Sequence, residues 1–150
     1  MADFLKIADR SWPVLGPLFR AHGVLYRATG GRLGGRLPGR PPVLLLDHIG
    51  AKSGKPRNTP LIYMPDGDNI VIVAAKGGHP ENPSWLYNLR AHPDTEIQIQ
   101  SRRIKVRARE ADAAERKRLW PMAATYNSDW RHYQRRTSRE IPLVILEPRT

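Results

Sequence analysis

The sequence predicts an α+β fold: a small, mostly antiparallel β-barrel with helices packed on its outside. Three observations predict it. Apolar runs or alternating segments stand at 43–46, 59–64, 70–75, 97–100, 103–109 and 141–146. The first three are joined by turn chemistry too short for helical crossovers, so they pair antiparallel. Helical patterns stand at the N-terminus and between later strands, where they can cover a closed sheet.

Val14, Leu15, Leu18, Phe19, Val24, Leu25 and Tyr26 fall near helical spacing over 13–27, with Pro13 at the first turn. Gly16 and Gly23 weaken that pattern. Gly30-Gly31-Arg32-Leu33-Gly34-Gly35-Arg36 ends the helix. Val43-Leu44-Leu45-Leu46 opens a buried strand, the stretch 50–57 is a turn, and 59–64 is the second strand. Pro65-Asp66-Gly67-Asp68-Asn69 is a hairpin signal leading into the third, at 70–75. Asn82 is the expected N-cap, and Pro83 the first residue, of a short helix over 83–91 that Pro93 ends. Two alternating strands follow: Ile97 and Ile99 oppose Glu96, Gln98 and Gln100, and Ile104, Val106 and Ala108 oppose Arg103, Lys105, Arg107 and Arg109. Asp112-Ala113-Ala114-Glu115 reads as a capping box opening a helix that Pro121 is expected to interrupt. The last strand is expected at 141–146. No repeat or linker divides the chain, so the expectation is one domain over 1–150: an N-terminal helix and Gly/Arg loop at 1–36, and a barrel at 43–148.

Lys plus Arg number 25 and Asp plus Glu 14, a net charge of +11. Such an excess suggests a polyanionic partner: nucleic acid, an anionic membrane surface, an acidic protein, or a small ligand with several negative charges. The absence of cysteine excludes a disulfide scaffold, a thiolate metal site and a cysteine nucleophile. There is no apolar run of the ~18 residues a spanning helix needs, and no secretory signal pattern, which fits a cytoplasmic protein. Gly50-Ala51-Lys52-Ser53-Gly54-Lys55 resembles a phosphate loop but has the wrong glycine spacing, and Pro56 stands where a magnesium-binding hydroxyl belongs. The histidines at 22, 48, 79, 92 and 132 do not stand at chelating spacings, so no metal site is expected.

Three segments carry chemistry. Lys52, Ser53, Lys55 and Arg57 crowd one tight turn, which suits a phosphate or carboxylate, though a solvated hairpin has the same composition. Lys76-Gly77-Gly78, followed by Asn82-Pro83-Ser84-Trp85, sets a flexible backbone and a full charge before a helix N-terminus, where an anion is again welcome. Tyr126, Trp130 and Tyr133, interleaved with Arg131, Arg135, Arg136 and Arg139, lie at three-to-four-residue spacing along one helical face. That face is either a packing face, a lid over a planar ligand, or a surface for single-stranded nucleic acid.

Taken in order, these motifs resemble one family, the deazaflavin-dependent nitroreductases, which use coenzyme F420. The resemblance rests on Gly50-Ala51-Lys52-Ser53-Gly54-Lys55-Pro56-Arg57, Thr59-Pro60-Leu61, Ala74-Ala75-Lys76-Gly77-Gly78, Asn82-Pro83-Ser84-Trp85, Asn88-Leu89, and the tail from Gln134 to Pro142. The Gly30–Gly35 loop matches as well, so about residues 24–148 are covered. The resemblance implies a split β-barrel and a reductase that passes a hydride from F420H2 to a small organic acceptor: a quinone, an enone or a nitro compound.

It further implies that Lys52, Ser53, Lys55 and Arg57 meet the phosphate or the carboxylates of the cofactor tail. Thr59, Pro60 and Leu61 would line the ring. Ala74, Lys76, Gly77 and Gly78 would meet the ring edge or phosphate, and Asn82, Trp85 and Asn88 would shape the pocket. Tyr126, Trp130 and Tyr133 would cover the acceptor. Trp130 departs from the family's three tyrosines and brings no phenol, which leaves Tyr133, then Tyr126, as proton donor. A basic N-terminal helix could rest on anionic lipid at the inner membrane face; no nucleic-acid partner is expected under this reading. The rivals are an FMN-binding split-barrel oxidoreductase and a basic nucleic-acid-binding domain.

Overall fold

The computed structural model describes residues 17–18, 20–36 and 39–150. Six strands, β1 (Val43–Ile49), β2 (Pro56–Asp66), β3 (Asn69–Val73), β4 (Asp94–Ile99), β5 (Arg102–Glu110) and β6 (Leu143–Pro148), form the barrel. It closes in the order β1-β2-β3-β6-β5-β4 with every pair antiparallel. The helices are α1 (residues 20–29), α2 (Ser84–Ala91), α3 (Ala113–Tyr126) and α4 (Ser128–Arg135). The expected start of the first helix at Pro13 lies outside the described residues.

Alternation along the strands sorts the core into layers. Leu44 and Leu46 of β1, Ile72 of β3, Ile97 of β4, Val106 of β5, and Val144 and Leu146 of β6 fill the barrel, joined by Trp85, Leu86 and Leu89 of α2. The opposite parity faces out. Met64, Val71, Val73, Leu143 and Ile145 pack against Leu119 and Ala123 of α3 and Trp130 of α4. On another outer face Val43 and Leu45 pack against Tyr26 of α1. The Tyr26 hydroxyl accepts from Gln100 N–H at 2.9 Å and has Val43 O and Gln98 O as acceptors at 3.0 and 3.1 Å. Gly23 is a point of close approach: a Cβ there would stand 2.5 Å from Asn58 Oδ1 on β2.

Four local expectations are corrected. Pro121 does not interrupt α3, which runs unbroken past it. The proline side is exposed, while Leu119 and Ala123 anchor both halves of the helix in the outer core. Pro83, not Asn82, is the N-cap of α2, because the Asn82 side chain is taken by Arg139. The aromatic stretch is not one helical face: Asn127 ends α3 and caps α4, its side chain accepting from Asp129 N–H at 3.2 Å. The last strand begins at Leu143 rather than Ile141. Ile141 is fully buried, but its N–H donates to Gln134 Oε1 and its carbonyl accepts from Arg116, so neither joins the ladder. The capping box stands as read, with Glu115 N–H donating to Asp112 Oδ1 at 2.8 Å and Asp112 N–H to Glu115 Oε1 at 3.1 Å.

Candidate active site

The turn between β1 and β2 is closed by its own backbone. Gly50 N–H donates to Lys55 O at 3.0 Å and Gly54 N–H to Gly50 O at 2.8 Å. The Ser53 hydroxyl accepts from Lys55 N–H at 3.2 Å, which leaves its own proton for another acceptor. Lys52, Ser53, Lys55 and Arg57 are all exposed. Among the described residues, none of the three cations has an acidic partner.

Beneath the turn sits a buried polar chain. Ala51 N–H donates to Asn88 Oδ1 at 2.8 Å, Asn88 Nδ2 donates to His48 Nδ1 at 2.9 Å, and His48 Nε2 lies 2.9 Å from Thr59 Oγ1. Burial, helped by the Arg57 charge, lowers the His48 pKa to about 4. A cleft of about 520 Å³ opens beside His48 and Arg57. Its other walls carry both signs of charge, with Arg27 and Arg103 holding Asp47, and Arg103 holding Glu96. Lys52, Lys55 and Lys76 do not line it, so of these cations Arg57 alone reaches the cleft.

Along β2 the three expected ring-lining residues do not share a face. Leu61 packs on the barrel interior, Thr59 turns its hydroxyl to His48 on the same side, and Pro60 takes the opposite parity. Ile62, of Pro60's parity, joins the outer clusters instead.

β3 leads through buried Ala74 and Ala75 into a left-handed turn, with φ of 46° at Lys76, 62° at Gly77 and 82° at Gly78. A lysine held there is strained, and strain of this kind collects at ligand clamps. The β2–β3 register pairs Tyr63 with Ile72, so this turn emerges at the level of residues 59–61, at the end of the hairpin that also carries the β1–β2 turn. The two cationic loops thus lie at one end of the barrel. Lys76 is exposed, and a Cβ added at Gly77 would meet nothing within 4 Å, so a ligand can approach that backbone. Gly78 serves packing: a Cβ there would stand 2.6 Å from Tyr133 O and 2.9 Å from Arg136 Cβ.

The loop is held by Arg139, a residue of the basic tail to which the motifs assign no such role. Arg139 donates from Nε to His79 O at 2.9 Å, from Nη1 to Ala74 O at 3.2 Å and Asn82 Oδ1 at 2.9 Å, and from Nη2 to Ala75 O at 2.8 Å. Burial lowers its pKa, and these acceptors compensate the half-buried charge. Gln134 fixes the same tail, donating to Arg139 O at 2.8 Å while accepting from Ile141 N–H at 2.9 Å. The signal was present in the Gln134–Pro142 stretch, but nothing in it said that the arginine turns inward. Asn82, Trp85 and Asn88 likewise build the frame: Asn82 meets Arg139, Trp85 is buried in the barrel and Asn88 bonds the β1–β2 turn.

Of the aromatic residues, Trp130 is 5 % exposed in the outer core and serves packing there. Tyr126 ends α3, stacks on Trp130 with ring centroids 6.3 Å apart, and keeps an accessible face. Burial raises its pKa, so the phenol is neutral. Tyr133 is half-buried, its backbone against Gly78 and its ring 5.5 Å from the Arg136 guanidinium. The second and third segments are therefore in contact.

Cations without acidic partners among the described residues, an accessible left-handed backbone turn and two nearby tyrosines suit a ligand that is planar at one end and polyanionic at the other. F420, with its phosphodiester and glutamate tail, has that form.

The F420H(2)-dependent quinone reductase of Mycobacterium tuberculosis strain H37Rv, Rv1261c, is 46% identical over 135 residues, spanning 88% of this chain and 91% of that protein. A solved structure of an F420-H2 dependent reductase (FDR-A) superposes with a TM-score of 0.64 at 36% identity, covering 70% of this chain and 93% of that one. A second, described as a domain-swapped dimer, gives 0.67 at 32% identity, covering 90% of this chain and 99% of that one. The split barrel expected from the motifs is thus the fold found. The pattern of the F420H(2)-dependent quinone reductases matches residues 18–148, and the chain belongs to that family of F420H2-dependent oxidoreductases.

Proposed function

We propose that this F420H2-dependent oxidoreductase reduces a quinone, and that the loops at 50–57 and 74–78 hold the cofactor. The observation that carries the reading is the set of four exposed cations at one end of the barrel, Lys52, Lys55, Arg57 and Lys76, which have no acidic partner among the described residues. When bound, the reduced deazaflavin supplies the hydride. Lys52, Lys55 and Arg57 bind phosphate or tail carboxylates, with the Ser53 hydroxyl donating beside them. Arg139 keeps the Lys76–Gly78 backbone open for the ligand.

A quinone that takes up a hydride still needs one proton to become a hydroquinone. Tyr133, whose backbone packs against Gly78, is the first candidate to give it, and Tyr126 the second. Trp130, buried, gives neither proton nor contact, so the acceptor is covered by the tyrosines alone. The quinone is favoured over an enone or nitro acceptor by the family and by the Mycobacterium tuberculosis relative.

Many quinones are lipid-soluble. Around α1, Leu18, Val24, Leu25 and Leu33 are exposed beside Arg20 and Arg32, a surface suited to peripheral contact with anionic lipid. No helix among the described residues is long and apolar enough to cross a membrane.

The test is anaerobic oxidation of F420H2 by a soluble quinone, an enone and a nitroarene, followed by the return of the oxidised cofactor's absorbance. Quinone-dependent turnover exceeding the other two is expected. Turnover with the nitroarene or enone but not with the quinone overturns the choice of acceptor, and no turnover with any of them overturns the reading.

A further inference from the structure

We propose that His48 is a positioning residue: as its neutral Nε2–H tautomer it holds, through Asn88, the cationic turn at 50–55 in binding shape. The inference rests on the reading of that turn as part of the cofactor site. The assignment of protons follows from one fixed donor. Ala51 N–H can only donate, so the Asn88 atom 2.8 Å away is the carbonyl oxygen, and the amide nitrogen faces His48 Nδ1 at 2.9 Å. That ring nitrogen must therefore be bare, and the proton stands on Nε2, donated to Thr59 Oγ1 at 2.9 Å.

The chain links β1, the turn, α2 and β2 through two side chains that are nearly sealed from water, His48 at 4% and Asn88 at 7% exposure. Protonating Nδ1 would set two donors face to face and release Asn88 from one of its partners. Thr59 then has its own hydroxyl proton directed away from His48. The turn's cations are on flexible stems, so the backbone beneath them is what this chain can fix.

His48→Asn and His48→Gln separate this role from simple filling of space. An asparagine places a carbonyl oxygen near the site of Nδ1 and still accepts from Asn88. A glutamine reaches the site of Nε2 and keeps Thr59 but loses Asn88. With F420 as the probe, His48→Asn should hold Kd within about twofold, whereas His48→Gln should raise it about fivefold, the scale of one lost hydrogen bond. In cofactor-free protein, hydrogen exchange at the Ala51 amide should quicken in His48→Gln and not in His48→Asn. The kcat at saturating F420H2 should be unchanged in both.

The ¹⁵N spectrum of the wild-type imidazole at neutral pH requires no variant to fold, and should show Nε2 protonated and Nδ1 bare. A protonated Nδ1, or equal changes in Kd and Ala51 exchange for the two variants, overturns the proposal. Failure of wild-type protein to bind F420 would overturn the function reading instead, and the spectrum and the exchange rates would still judge His48.

Discussion

Two basic regions of this molecule treat their charges differently. Along β5, Arg103, Arg107 and Arg109 are each locked to carboxylates. Arg107 forks onto Asp94 at 2.7 and 3.0 Å, Arg109 reaches Glu115 at 2.6 and 2.8 Å and Glu147 at 2.7 Å, and Arg103 binds Glu96 at 2.7 Å and Asp47 at 2.9 Å. At the other region, Lys52, Lys55, Arg57 and Lys76 have no such partner among the described residues. A surplus of +11 does not by itself mark a site. What sets the proposed site apart is that its cations, without acidic partners among the described residues, stand over a backbone held by inward-turned side chains: Arg139 under one loop, and Asn88 with His48 under the other. Arg103, Arg107 and Arg109 brace strands, whereas in the proposed reading the loop cations are kept for an anion.

The sharpest way to break the contrast is to break the backbone under the loop cations. Gly78→Ala adds a Cβ at φ 82° against Tyr133 O and Arg136 Cβ. It should cost on the order of 3 kcal/mol of stability, read from denaturant unfolding. A loss below about 1 kcal/mol would mean that the turn is not held as described.

Acid should act on the other loop. Since the folded protein keeps His48 near pKa 4 against an ordinary 6.5, it binds fewer protons than the unfolded chain between those values. The stability present above pH 6.5 is therefore lost as pH falls toward 4, by roughly 3 kcal/mol at most. His48→Asn should flatten that limb of the Tm-against-pH curve; an unchanged limb would assign it to other groups.

Chemistry should be separable from charge. Tyr133→Phe removes a hydroxyl and leaves every cation in place, so kcat should fall roughly 10²-fold with little change in F420 affinity. If Tyr126→Phe causes the fall instead, the donor is the residue ending α3. If neither does, the aromatic residues serve shape alone.

The smaller effects test the contrast itself. Arg57→Ala should weaken F420 by about 1.5–3 kcal/mol, and Arg57→Lys should recover only part of it, because lysine lacks the planar fork. The matched control, Arg107→Ala on the β5 face, should change F420 affinity by less than about twofold and cost under ~1 kcal/mol of stability, as exposed ion pairs do. Equal effects at the two arginines would erase the distinction.

Most of the barrel was legible because apolar runs and alternation are local signals: Ile104, Val106 and Ala108 pack together on the barrel interior as the alternation of β5 requires. Local rules failed where a distant side chain intervened. Asn82 has the chemistry of an N-cap but is claimed by Arg139, and the ladder groups of Ile141 are claimed by Gln134 and Arg116. Pro121 is tolerated because burial of Leu119 and Ala123 outweighs one missing helical hydrogen bond. In the site, the exposed cations were legible from composition and motif. Parity also placed Thr59 and Leu61 on one side of β2 and Pro60 on the other. Arg139 stood within a recognised stretch, but its inward turn is defined by partners 57–65 residues away; His48 carried no local signal, its role being set by Asn88, 40 residues on, and Thr59.

The claim that uncompensated loop cations await a polyanion is tested most directly by titrating wild-type protein with F420 of different glutamate-tail lengths and with FMN, at low and high salt. F420 should bind more tightly than FMN, affinity should grow with tail charge, and salt should weaken the long-tailed forms most. FMN binding at least as tightly as F420, with no dependence on tail length or salt, would contradict that claim.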